Sequence, residues 1–263
     1  PLKKMGRDNR PEMVTMGNVL RNLLDSDYIV FPNRFMEEKM SGAFNLRELY
    51  QGTILREGYP RNSIFFDQEH GRLLKEVLGY QGCQLSVYMP TFRGHTDDVE
   101  GDSYVEQVRS YLEVIDKGMQ DDQILLLKLH PLVQKGLDLD NYRHIRPFPS
   151  ELDTYDVLNA CDVLITDYSS VCWDMLYQNK PTLFYQFDLD QYNEAHGSYI
   201  DMHKDLFGDR AETSSELFDY IEEAAEHDFA LKPAYARQRS EYFQFKDQQH
   251  SRQICKAIRR RFC

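Results

Sequence analysis

The chain has 263 residues, of which 41% are hydrophobic and 13% aromatic; that is enough for one large domain, or one domain with part of another, and too apolar for a disordered segment. With 31 basic and 43 acidic side chains the net charge is −12, which excludes a protein that coats nucleic acid but leaves room for a local basic pocket holding a small anion.

In chain order, Met13 to Leu24 reads as a helix, and Asp27 to Asn33 as a short strand followed by a turn. The apolar runs Tyr28-Ile29-Val30-Phe31, Leu85 to Met89, Ile124 to Leu127, Val163 to Ile165 and Thr182 to Tyr185 are short and nearly continuous. Such runs are the mark of strands covered on both faces, as in a parallel sheet. Between them Val105, Val108, Leu112 and Ile115 recur at helical spacing, and Leu217, Tyr220, Ile221 and Ala224 do so after a Ser214-Ser215 cap signal. Strands alternating with helices predict an α/β domain with a Rossmann-type, doubly wound parallel sheet. The stretch Thr96 to Asp102 is acidic and polar and reads as a solvated loop rather than a metal site.

No run approaches the roughly 20 apolar residues of a membrane-spanning helix. The first residues, Pro1-Leu2-Lys3-Lys4, do not form a signal peptide and include no initiator Met, so the chain is expected to begin part-way into a longer polypeptide. Five cysteines, widely spaced and without a CxxC pair, read as reduced thiols, and the eight histidines show no metal-ligand spacing.

Four polar clusters stand out as anion sites. Gly58-Tyr59-Pro60-Arg61-Asn62 shapes a tight loop that offers the planar guanidinium of Arg61, although an ordinary turn has the same composition. Pro90-Thr91-Phe92-Arg93-Gly94-His95 follows a strand directly and carries Thr91 and Arg93. Lys128-Leu129-His130-Pro131 closes another strand, and His130, fixed by the proline, suits phosphate stabilisation or acid–base work; a hydrogen-bonded core His is the structural alternative. Thr166-Asp167-Tyr168-Ser169-Ser170 lies between a strand and the expected helix Val171 to Gln178, where hydroxyls and backbone N–H groups both cap a helix and hold an anion. In open α/β sheets ligands bind at the C-terminal strand edge, where these clusters are expected. No GxGxxG, Walker loop or GxSxG elbow is present.

Taken together and in this order, the clusters resemble the CDP-glycerol glycerophosphotransferase family, the teichoic acid and capsule polymerases. The match runs from Pro1 to Gly6 through the four clusters, above all Asp162 to Ser170, and on through Asn179-Lys180-Pro181, Phe184-Tyr185, Asp188, Tyr192 and Gly197. The resemblance implies a GT-B-like fold of two Rossmann-type domains. Residues 1–50 would then be the tail of the acceptor-side domain and the crossover, and 51–263 the nucleotide-donor-binding domain. It implies transfer of glycerol-phosphate from CDP-glycerol to the hydroxyl end of a polyol-phosphate or capsule acceptor, with release of CMP. His130 would be catalytic. Thr166, Ser169, Ser170, Arg61 and Arg93 would hold the donor phosphates, supported by Asp167, Thr91 and Asn62. Such enzymes can work without a metal, so neither metal nor cofactor is required.

In that family a His-Gly-Thr stretch precedes the equivalent of Pro1, and its His is the proposed base for the acceptor hydroxyl; the present chain starts after it. The family's Asp-Gly, Ser, Arg ending is only partly matched, by Asp247-Gln248, Ser251 and Gln253 with Arg252 one place earlier. A CDP-ribitol or mixed sugar and glycerol-phosphate polymerase is the near alternative. A donor-binding module without activity is the alternative from another class, and a UDP-sugar epimerase or glycosyltransferase is a weaker one. The implied location is the cytoplasmic face of a bacterial membrane, bound peripherally. Basic chain ends fit that location, with five basic residues and no acid in the last twelve, or fit the polyanionic acceptor; a solvated helix end reads equally well.

Overall fold

The computed structural model of the protein describes residues 2–9, 13–91, 101–244 and 249–262. In chain order the elements are α1 (Met13–Leu24), β1 (Tyr28–Phe31), α2 (Arg34–Ala43), α3 (Leu46–Leu49), β2 (Thr53–Arg56), a 3-10 stretch at Pro60–Phe66, α4 (Gln68–Val77), β3 (Gln84–Tyr88), α5 (Gly101–Gly118) and β4 (Gln123–Leu127). They continue with α6 (Pro131–Gln134), β5 (Ile145–Pro147), α7 (Thr154–Ala160), β6 (Val163–Thr166), α8 (Cys172–Tyr177), β7 (Thr182–Tyr185), α9 (Leu189–His196), β8 (Asp209–Ala211), α10 (Ser214–Glu226), α11 (Pro233–Tyr242) and α12 (His250–Phe262). The chain divides into two compact units, one of Pro1–Phe66, Asp188–Leu206 and Ala236–Cys263, the other of Asp67–Phe187 and Phe207–Tyr235. The boundary expected at 50/51 therefore falls inside the first unit.

In the first unit β1 and β2 pair in parallel, Tyr28 opposite Thr53 and Phe31 opposite Arg56. Ile29 and Phe31 are buried with Ala43, Phe44 and Leu46, and Leu20 and Leu23 of α1 and Met36 and Met40 of α2 pack on them. Asn33 caps α2, its side chain accepting from the Met36 N–H at 2.7 Å, which ends the strand and starts the helix within two residues. Gly6 is fixed by both backbone and space: its φ is +55°, and a Cβ there would sit 2.4 Å from the Ala43 carbonyl oxygen. The Tyr199 N–H donates to the Leu2 carbonyl at 2.8 Å and the Tyr199 hydroxyl to Asp8 at 2.9 Å, which joins residues 2–8 to the 197–202 segment.

The second unit is built on a six-stranded sheet, order β5-β4-β3-β6-β7-β8, every pairing parallel. Numbered within the sheet, that order is the Rossmann one, two sets of strands running outward from a central pair. All residues of β6 and β7 are buried, as continuous apolar runs require. Val108, Leu112 and Ile115 of α5 and Leu217 and Ile221 of α10 form one core with Leu125 and Leu127. The helical spacing read from the sequence thus marks the faces that α5 and α10 bury.

Candidate functional site

The central pair of the sheet is β3 and β6. From β3 the chain moves to β4 and β5 on one side; from β6 it moves to β7 and β8 on the other. Where two such directions part, the loops leaving the strand ends diverge and open a crevice at their C-terminal edge. Three of the four sequence clusters end strands at this edge: Thr91 follows β3, His130 follows β4, and Asp167 to Ser170 follow β6.

Asp167 is the hinge pin of the crevice. Its side chain is fully buried, and its carboxylate accepts from the Thr91 N–H at 2.8 and 3.0 Å, from the Thr91 hydroxyl at 2.8 Å and from the Tyr168 N–H at 2.5 Å. Its own carbonyl accepts from the Gln186 side-chain amide at 2.9 Å, which brings in the end of β7. A buried carboxylate is tolerable only when such donors replace water. Thr166 is also fully buried, and its hydroxyl donates to the Met89 carbonyl at 2.6 Å. The hydroxyl of Thr166 is therefore committed to tying β6 to the end of β3 rather than turned toward a ligand.

What lies outward of this clamp is polar. Ser169 is half-buried and Ser170 exposed, at the turn into α8, and the Val171 N–H approaches the Ser169 hydroxyl at 3.5 Å. His130 is exposed at the start of α6, its carbonyl accepting from the Val133 and Gln134 N–H groups at 2.9 and 3.1 Å. That pattern holds the backbone of His130 at the start of α6. With strands about 4.8 Å apart, the ends of β4 and β6 stand roughly 10 Å apart on either side of β3, a span suited to an elongated ligand rather than a single ion.

Lys128 was not singled out as a site residue. Its ammonium lies 4.1 Å from the Phe148 ring centroid and donates to the Thr154 hydroxyl, and burial lowers its pKa while Asp153 opposes the shift. It is a half-buried cation two residues before His130, at the same strand end. Its signal in the sequence is a Lys directly after a four-residue apolar run.

Arg61 and Asn62 belong to the first unit. Asn62 is buried, its N–H donating to the Tyr59 carbonyl at 3.0 Å, while Arg61 is exposed with its guanidinium 4.4 Å from the Tyr59 ring centroid. Gly58 admits the His250 ring so closely that a Cβ would lie 2.3 Å from it. Arg93, His95 and the 96–100 part of the acidic stretch, as well as Asp247 and Gln248, lie outside the described residues. Lys180, part of the matched Asn179-Lys180-Pro181, is an internal tie: its ammonium donates to the Asn159 and Cys161 carbonyls at 2.6 and 2.7 Å.

The sequence profile of the family described as CDP-Glycerol:Poly(glycerophosphate) glycerophosphotransferase matches residues 1–260. A teichoic acid glycerol-phosphate transferase of Staphylococcus aureus is 30% identical over a 276-residue alignment, covering 98% of this chain and 68% of that protein. A teichoic acid poly(ribitol-phosphate) polymerase of Bacillus spizizenii is 30% identical over 178 residues, 65% of this chain and 28% of that protein. A solved structure of a variant of the wall teichoic acid polymerase TagF, which is GT-B-like, superposes with a TM-score of 0.80 at 25% identity, covering 99% of this chain and 66% of that one. Another, from a soak with CDPG, gives 0.77 at 26% identity with the same coverage. The chain thus spans about two thirds of the glycerol-phosphate transferase and of the solved polymerase, and under a third of the ribitol-phosphate polymerase.

Proposed function

Since the chain belongs to the CDP-glycerol:poly(glycerophosphate) glycerophosphotransferase family, we propose that its second unit binds CDP-glycerol across the β3/β6 crevice for transfer of glycerol-phosphate to a polyol-phosphate hydroxyl. The observation that carries this reading is the Asp167 clamp at the point where the sheet's strand order reverses, with Ser169, Ser170, Lys128 and His130 ranged along the same edge.

The acceptor oxygen attacks the β-phosphorus; a new P–O bond forms as the bond to the bridging oxygen breaks, and its electron pair leaves with CMP. Such a transfer asks for alignment and charge neutralisation more than covalent help from the protein. His130 donates to the phosphate and offsets charge on the departing CMP. The Ser169 and Ser170 hydroxyls hold the pyrophosphate, and Lys128 adds a fixed positive charge. Arg93, which follows β3 in the sequence, is a supporting ligand. Thr166, Thr91 and Asp167 shape the crevice from within. Asn62 supports the Arg61 loop. The acceptor proton passes to a general base on the acceptor side.

The soak of the solved polymerase with CDPG supports the choice of a cytidine donor. A CDP-ribitol donor is a second reading, supported by the poly(ribitol-phosphate) polymerase that is 30% identical. Peripheral attachment to the inner face of a bacterial membrane completes the proposal; among the described residues no helix is long and apolar enough to cross one. His130→Ala should leave the fold intact and lower CMP release by roughly a hundredfold or more, as loss of one preorganised donor does. Near-normal turnover in that variant would remove His130 from the reaction.

A further inference from the structure

α12 carries a feature the donor site does not use. Arg252, Lys256, Arg259 and Arg260 are exposed and, at spacings of four, seven and eight residues from the first, form one stripe along the helix. The opposite face, with Ile254, Ala257 and Ile258, is half-buried. With Cys255 the four cations line a recess of about 390 Å³.

Two facts show that helix stability does not account for the stripe. Elsewhere the chain sets opposite charges at helical spacing, as in Arg34–Glu38, Arg109–Glu106 and Arg72 with Glu69 and Glu76. On α12, Arg252/Lys256 and Lys256/Arg260 are like charges four apart, which repel. Arg252 also stands in the first turn, where no acid is present and a cation opposes the helix dipole. Among the described residues none of the four is paired with a carboxylate. In a chain of net charge −12, such a stripe is a local cationic face open to an external anion.

We propose that this face of α12 is a docking track for the growing phosphodiester polymer, a linear polyanion of phosphates joined by short polyols. This inference rests on the polyol-phosphate transferase reading above. Arg252, Lys256 and Arg260 follow each other at about 6 Å along the axis, so successive phosphates of an extended chain meet successive cations. A membrane is the less suitable partner. An interfacial helix turns large apolar side chains outward, and the exposed large hydrophobics of the described residues (Leu24, Leu49, Leu73, Val77 and Val114) are all off α12. A track of this kind holds the polymer between additions independently of the donor.

The test uses the whole 263-residue chain and fluorescently labelled poly(glycerol phosphate), read by anisotropy, beside calorimetry with CDP-glycerol. The wild type should bind the polymer with an affinity that falls steeply with salt. The variant R252Q/K256Q/R259Q/R260Q should bind it about tenfold or more weakly with a flattened salt dependence, as expected when phosphate-neutralising cations are removed. The charge-keeping R252K/R259K/R260K should bind as the wild type does, and polymer should slow alkylation of Cys255 in the wild type, a readout that requires no altered fold. CDP-glycerol affinity should be the same in all three proteins. Unchanged polymer affinity in the glutamine variant overturns the proposal while leaving the donor reading intact. Loss of sedimentation with phosphatidylglycerol vesicles, without loss of polymer binding, assigns the stripe to lipid and overturns it as well. Failure of the wild type to bind CDP-glycerol tells instead against the functional reading on which the proposal rests.

Discussion

Asp167 shows how one buried side chain can tie two strand ends together. Its carboxylate gathers donors from the end of β3 and from its own turn, and its carbonyl holds Gln186. Asp167→Asn turns an amide NH₂ toward at least one of those donors. It should destabilise the second unit by on the order of 3 kcal/mol, seen in urea unfolding, with weaker donor binding even in molecules that remain folded. Unaltered unfolding would mean the clamp is not what holds the β3 and β6 ends together. In the first unit burial pushes Tyr199 up to about 12 from its ordinary 10.0, and the Asp8 carboxylate that accepts its hydroxyl adds to the shift. The folded state thus keeps a proton that the unfolded chain loses. The contribution is full below pH 10 and disappears as pH rises through about 12. The stability gap between wild type and Tyr199→Phe should therefore shrink across that window; a gap independent of pH would contradict this.

At the level of elements, α10 is the plainest case of local control. Thr213 accepts from the Glu216 N–H at 3.2 Å and Glu216 accepts from the Thr213 N–H at 3.1 Å, a reciprocal capping box. Thr213→Ala should cost about 1 kcal/mol in thermal or urea unfolding. The expected cap at Ser214-Ser215 lay one residue late: Ser214 already belongs to the helix, and the Thr-x-x-Glu spacing identifies the cap. β3, β4, β6 and β7 were legible because strands buried on both faces are written as apolar runs. β5 and β8 were not: they are three-residue edge strands, Ile145-Arg146-Pro147 and Asp209-Arg210-Ala211, whose composition resembles a loop. β2 is four residues and at most half-buried, and so has no run to read. The strand-end positions of the candidate residues were legible, since His130, Thr91 and Ser169 each lie within four residues of the end of an apolar run. The Thr91–Asp167 clamp was not, because its partners are 76 residues apart and only the sheet order brings them together. The same distance effect hid the inward turn of Thr166, a hydroxyl that in the sequence looks as available as those of Ser169 and Ser170.

For the whole molecule, the net charge of −12 and the proposed polyanionic substrate are reconciled by placing positive groups locally. Lys128 and His130 stand at the edge of the six-stranded sheet, and the α12 stripe belongs to the other unit. In the proposed reading the two places serve different ends of one reaction: donor phosphate at the sheet, accumulated polymer on the helix. The family places the chain among polyol-phosphate transferases, and relatives named for glycerol-phosphate and for ribitol-phosphate stand at similar identity. The most direct test of the account is calorimetric titration of the chain with CDP-glycerol, CDP-ribitol and a UDP-sugar, repeated on S169A/S170A. Binding of a cytidine donor in preference to the UDP-sugar, weakened about tenfold or more by loss of the two hydroxyls, is the predicted result. Failure to bind any cytidine nucleotide, or binding indifferent to Ser169 and Ser170, would contradict it.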